Sequence, residues 1–106
     1  MMLPRVWRDK MKEKGEEDLL KMLGARGTKQ ILEFLNQHGL CHYKQLEEFM
    51  NTHTLNIRLR EMLTFGLIQF YFDRIETRER GYEITEKGEK ILQCLRHLVA
   101  LMKEPL

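Results

Sequence analysis

From Tyr43 to Gly88 the chain reads YKQLEEFMNTHTLNIRLREMLTFGLIQFYFDRIETRERGYEITEKG, and its pattern changes four times. Tyr43, Leu46 and Phe49 or Met50 give a short amphipathic helix its buried side. After a turn, Leu55, Leu59, Met62 and Leu63 recur at helical spacing and leave polar residues opposite. Ile68, Phe70 and Phe72 then alternate with Gln69 and Tyr71. Beyond a polar stretch, Tyr82 and Ile84 alternate with Glu83, which completes the period-two signature of two antiparallel strands. Thr85 is placed to cap a further helix. Helix, turn, helix, two-stranded arm and helix is an order that holds one helix out from a core.

The second helix carries the chemistry. At ~100° per residue, with Leu55 and Leu59 facing the core, the outward arc contains His53, Ile57, Arg60 and Thr64, flanked by Thr54, Asn56 and Arg58. The amino-terminal half of this arc has no acid. Asn51 is placed to accept a hydrogen bond from a free amide of the first turn, Thr52 opens the helix, and Gly66 closes it as a C′ glycine. Such side chains suit a major groove: Asn pairs with adenine through two hydrogen bonds, Arg with guanine, and an aliphatic group such as Ile57 lies against a thymine methyl. The arm's tip, DRIETRER, is long enough to reach a neighbouring groove or phosphate, with arginines suited to both. The expected DNA-binding residues are therefore Thr52, His53, Thr54, Asn56, Ile57, Arg58, Arg60, Arg74, Arg78 and Arg80. The plainer alternative makes Arg58 and Arg60 solvated helix charges beside Glu61. Ile57 fits that alternative less well, although isolated surface apolar residues are ordinary.

Upstream, residues 1–15 form a charged arm in which Arg5, Arg8, Lys10, Lys12 and Lys14 outnumber Asp9 and Glu13. A first helix is expected from about Glu16 to Leu23, and the glycines at 24 and 27 punctuate the chain after it. Thr28 is placed to cap the next helix, whose Ile31, Leu32 and Leu35 face the core before Gly39 ends it. Leu40 and Cys41 fit a short strand. Downstream, Ile91, Leu95, Leu98 and Met102 follow the alternating four and three spacing of a coiled-coil seam, with Leu92 and Val99 in an adjacent stripe. One stripe can cover its own domain and the other fits a second copy, so a homodimer through Ile91, Leu95, Leu98 and Met102 is expected. A single broad core face is the alternative. The chain thus divides into an arm (1–15), a domain (16–85) and a dimerisation helix (86–106).

Asn51 to Ile68, NTHTLNIRLREMLTFGLI, resembles the recognition helix and strand entry of winged-helix transcription factors of the HxlR and MarR type. There the helix carries L-x-x-x-L-x-x-L, here Leu55, Leu59 and Met62, and closes on G-L-I, here Gly66, Leu67 and Ile68. LGARGTKQILEFL, from Leu23 to Leu35, is similar to the segment by which HxlR-type proteins enter their first helix. YEITEKGEKIL, from Tyr82 to Leu92, resembles the last wing strand and the start of the C-terminal helix. The likeness runs from about residue 19 onward. It implies a mainly α fold with a small antiparallel β-wing (α+β), a winged helix-turn-helix with flanking N- and C-terminal helices. It also implies a dimeric regulator of transcription in a prokaryote, with double-stranded DNA as partner. Winged helices also serve proteins that never touch DNA. Two other readings therefore stand beside it: a module docking proteins through Ile57 and the aromatic wing face, and a chromatin protein without sequence preference. Between Leu46 and Leu59 the chain is shorter than that family's usual spacing, which calls for a tight turn near Met50 and Asn51.

Composition agrees with one small domain. A length of 106 residues with 42% hydrophobic and 32% charged residues suits one core and excludes a disordered chain. No apolar run approaches a transmembrane helix, and the N-terminus lacks the continuous apolar centre of a signal peptide, so a cytoplasmic protein without membrane contact is expected. The net charge of +2 argues little by itself, since distribution matters more than the sum. Cys41 and Cys94 form no CxxC and imply no disulfide framework. His38, Cys41 and His42 lie close in sequence, and Cys94 and His97 share a helical face, a conceivable metal site set aside in favour of helix-end polar groups and buried thiols. A redox-responsive Cys41, such as some HxlR-type regulators use, lacks a neighbouring charge cluster to lower its pKa. Serine is absent, and there is neither a glycine-rich phosphate loop nor a nucleophile elbow, so no enzyme and no cofactor is expected.

Overall fold

The computed structural model describes residues 15–72 and 80–105, the side chains of Phe72 and Arg80 apart. Its elements follow the order α1 (Gly15–Gly24), α2 (Thr28–His38), β1 (Cys41–His42), α3 (Tyr43–Leu46), α4 (Thr52–Thr64), β2 (Ile68–Phe72), β3 (Arg80–Ile84) and α5 (Glu86–Met102). The arrangement is mostly helical with a three-stranded antiparallel sheet of order β1-β3-β2, the expected fold class. Charged arm residues 1–14 lie outside the described residues.

Helix α1 begins with Glu16, Glu17 and Asp18 in its first turn, where carboxylates suit the positive end of the helix dipole, and buries Met22. The chain then turns through Gly27 at φ 96°, a left-handed conformation that favours glycine. Thr28 departs from its expected part. Its Oγ1 donates to the Met22 carbonyl at 2.6 Å and the residue is fully buried, so its hydroxyl serves the end of α1. Gly27 takes the N-cap position of α2, its carbonyl accepting from the Ile31 amide at 2.9 Å.

Ile31, Leu32 and Leu35 are buried as their spacing predicts, and Gly39 closes α2 by donating its N–H to Leu35 O at 2.8 Å. The short strand starts one residue later than expected, at Cys41, because Cys41 and His42 are the residues in register with Tyr82 and Gly81 of β3. Leu40 is left exposed. Helix α3 has only 4 residues, and residues 47–50 turn the chain before Asn51.

Helix α4 then restarts the chain cleanly. Asn51 Oδ1 accepts from the Thr54 amide at 2.8 Å. Leu55, Leu59 and Met62 are buried at the expected spacing. At the far end the Gly66 amide donates to Leu63 O (3.1 Å) and the Leu67 amide to Met62 O (2.9 Å), the two bonds of a Schellman closure. In the sheet, Ile68 pairs with Ile84 and Phe70 with Tyr82. Ile68 and Tyr82 enter the core, while Phe70 is exposed and meets the Tyr82 ring at 5.4 Å.

Thr85 joins the exit of α4 to the start of α5. Its amide donates to Leu67 O at 3.0 Å, its hydroxyl lies 2.6 Å from Gly66 O, and its Oγ1 accepts from the Gly88 amide at 3.0 Å. The packing is so close that a Cβ on Gly88 would fall on the Leu67 carbonyl oxygen. Leu92, one turn further, is buried against the same core.

Candidate nucleic-acid interface

Helix α4 rests on the core through Leu55, Leu59 and Met62, which leaves Thr52, His53, Asn56, Ile57, Arg60 and Thr64 exposed and Thr54 half-buried. Its first turn holds no acid, and its amino-terminal end therefore presents free amides and the positive end of its dipole without a competing carboxylate. At the opposite end Lys87 Nζ donates to the Phe65 carbonyl at 2.8 Å, where a cation suits the negative end.

Arg58 is held differently from its neighbours. Its Nε donates to the Arg26 carbonyl at 3.0 Å and its Nη1 pairs with Glu61 Oε1 at 2.6 Å, with the side chain 19% exposed. The residue ties α4 to the α1–α2 turn, a role that the helical wheel could not reveal because Arg26 is distant in sequence. Arg60 faces solvent one step around the helix. Asn56 has a partner that the sequence also concealed: the Tyr43 hydroxyl donates to its Oδ1 at 2.7 Å. Thr64 Oγ1 donates back to Arg60 O at 2.8 Å.

Between α4 and the sheet lies an open groove of about 380 Å³, bordered by Asn56, Arg60, Thr64, Phe70 and Tyr82 over Leu59 and Leu63. It brings one side of α4 next to the wing strands. Of the wing arginines, Arg74 and Arg78 lie outside the described residues, and Arg80 is placed by its backbone alone, opposite Phe72.

The expected dimer residues separate along α5. Ile91 and Leu95 are half-buried against the protein's own core, whereas Leu98 and Met102 are exposed, together with Val99 and Leu101. The division between covered and bare residues therefore runs across the helix, first half against second half, and replaces the expected division into two parallel stripes. The reason is length: at ~1.5 Å per residue α5 outruns the small core beneath it. Arg96, which reaches Glu33 of α2 at 3.4 Å, marks the boundary.

Cys41 is fully buried, its Sγ lies 3.7 Å from the Gly39 carbonyl, and burial pushes its thiol pKa up, away from the reactive thiolate. Cys94 is exposed. Among the described residues no three His, Cys, Asp or Glu side chains gather as a metal site would require.

The architecture recurs in solved structures. The reduced transcriptional regulator YodB from B. subtilis superimposes with a TM-score of 0.70 at 22% identity, over 94% of this chain and 90% of that one. The fold is the winged helix. An S. aureus MepR–DNA complex matches with a TM-score of 0.67 at 20% identity, covering 94% of this chain and 84% of that one. A MarR-family regulator from Enterococcus faecalis V583 matches with a TM-score of 0.68 at 18% identity, covering 97% and 89%. No family model matches the chain. In sequence, an uncharacterized protein of Methanocaldococcus jannaschii is 33% identical over 81 residues, 70% of this chain; the chain spans 65% of that protein's length. In winged-helix terms α2, α3 and α4 form the helical core with its helix-turn-helix, β2 and β3 form the wing, and α1 and α5 flank them.

Proposed function

We propose that this winged helix binds double-stranded DNA in a sequence-specific manner, as a homodimer that regulates transcription in the cytoplasm, and that it performs no catalysis. The outward face of α4 carries this reading: an acid-free, hydrogen-bonding surface on a helix fixed by three buried residues and capped at both ends. That S. aureus MepR, a protein of the same fold, has been solved as a DNA complex lends support. Thr52, His53, Thr54, Asn56, Ile57 and Arg60 would meet the major groove, and Arg74, Arg78 and Arg80 of the wing would meet phosphates or the minor groove. Arg58 serves α4's seating. The bare end of α5 would pair two copies, and a two-fold protein matches a pseudo-palindromic site with half-sites about one helical turn apart.

Selection of bound sequences from random duplex DNA, followed by titration at rising salt, tests the reading. A specific binder enriches one pseudo-palindrome and loses affinity steeply with salt. Arg78→Ala with Arg80→Ala should lower the salt slope by ~1 per lost phosphate contact on every duplex. The exposure of Ile57, Phe70 and Tyr71 favours a second reading, a protein-docking module. Salt-insensitive capture of a protein with no duplex bound would establish that one instead.

A further inference from the structure

On the outward face of α4, the Asn56 amide has its orientation already chosen. The terminal torsion of an asparagine is broad and roughly two-fold, so an unheld amide presents either its oxygen or its nitrogen to a partner. Those two presentations read opposite partners, because Oδ1 accepts and Nδ2 donates. Here Oδ1 faces the Tyr43 hydroxyl at 2.7 Å.

The hydroxyl is itself well anchored. Tyr43 opens α3 directly after β1, whose Cys41 and His42 are in register with Tyr82 and Gly81. Its ring packs against the core cluster, and Gln45 Oε1 accepts from the His42 amide at 2.9 Å, fixing the start of α3. The hydroxyl thus approaches α4 from a different element, on a ring with two side-chain torsions. Arg60, one turn along the same groove, has donors and no acceptor. With the Asn56 oxygen engaged, the two residues present donors side by side.

We propose that Tyr43 is a positioning residue for base selection: it holds the Asn56 amide with Nδ2 outward, so that Asn56 favours guanine, whose major-groove edge offers two adjacent acceptors, N7 and O6, over adenine and thymine, which offer one each, and rejects cytosine, whose edge offers an amino donor. This differs from the two-bond pairing with adenine, which engages the amide's oxygen as well as its nitrogen. The inference rests on α4 being the DNA-reading helix and adds which base that helix asks for.

Three sequence selections on random duplexes, with unmodified protein, Asn56→Ala and Tyr43→Phe, test it. Asn56→Ala identifies the position that Asn56 reads. Unmodified protein should select guanine there, and Tyr43→Phe should flatten that preference by about tenfold while leaving other positions and random-duplex affinity unchanged. In an Asn56→Ala background Tyr43→Phe should change nothing further. Cytosine, adenine or thymine at that position, or undiminished selectivity in Tyr43→Phe, overturns the proposal. A DNA-free measurement separates the two levels: in the free protein, the Asn56 side-chain amide resonances should shift in Tyr43→Phe. Unchanged resonances disprove the hydrogen bond whatever the DNA result. Shifted resonances with no sequence enriched by the unmodified protein defeat the DNA reading, and base selection with it.

Discussion

Along the outward face of α4 the exposed positions carry Thr52, His53, Asn56, Arg60 and Thr64 around a single apolar Ile57, whereas along the last turns of α5 they include Leu98, Val99, Leu101 and Met102. The two surfaces ask for different partners. Polar groups already bound to water gain little from being covered unless the new donors and acceptors match, so the α4 face discriminates more than it binds. Apolar side chains gain roughly 25 cal/mol for each Å² covered, with no demand on direction, so the end of α5 binds more than it discriminates. If α4 reads DNA and α5 pairs two copies, as proposed, recognition and assembly fall on different helices and can be altered one at a time.

The sharpest test of this separation is a charge on the apolar surface. Leu98→Glu with Leu101→Glu should weaken self-association at least a hundredfold, about 2.7 kcal/mol, because a carboxylate in an apolar interface lacks a partner. Both side chains are exposed in the monomer, so its thermal midpoint should hold. Sedimentation equilibrium reads the result, and an unmodified protein that stays monomeric at micromolar concentration removes the assembly surface altogether. On the polar face, Asn56→Ala and Arg60→Ala should each weaken binding to the selected site by ~1–3 kcal/mol, with little change on random duplex and none in association. Equal losses on both DNAs would end the claim of base reading.

Arg58→Ala is the control within α4. It removes charged hydrogen bonds to Arg26 O and Glu61, so about 1.5 kcal/mol of stability should go while base preference stays. Lost preference with intact stability would instead move Arg58 to the DNA side. The smallest effect belongs to Glu33, where the held part of α5 ends. Its hydrogen bond with Lys29, and the attraction of Lys29 and Arg96, hold its pKa below the ordinary carboxylate value. Because the folded pKa is the lower one, the stabilisation is complete above the unfolded pKa and disappears as pH falls through the folded pKa. Glu33→Gln should therefore be less stable than the unmodified protein near neutrality, by the ~0.2–1 kcal/mol of an exposed pair, and equal to it in acid. Urea titrations at several pH values would show it, and a gap that persists in acid would assign the difference to packing.

What could be read from the sequence was local. Asn51 and Thr85 cap the helices they precede, and Leu55, Leu59 and Met62 lie inward, because a cap acts within one turn and helical periodicity repeats every few residues. Thr28 misled for the same reason: its capping pattern is local, but the Met22 carbonyl at the end of another helix claimed its hydroxyl. Arg58 and Arg26, or Tyr43 and Asn56, are brought together by the turns between elements, and no spacing in the chain announces them. The α5 seam was readable as an apolar repeat, yet how far the core extends beneath it is a property of the assembled domain.

The stitch at Thr85 and Gly88 has a mechanical meaning. With the exit of α4 hydrogen-bonded to the start of α5, and with no room for even a methyl group between them, the two helices share a single bearing. Helix α5 has 17 residues, about 25 Å, and stays on the core from this joint as far as Arg96. The exit of α4 and the entry of α5 are thus one joint, set on the backbone of Gly66 and Leu67.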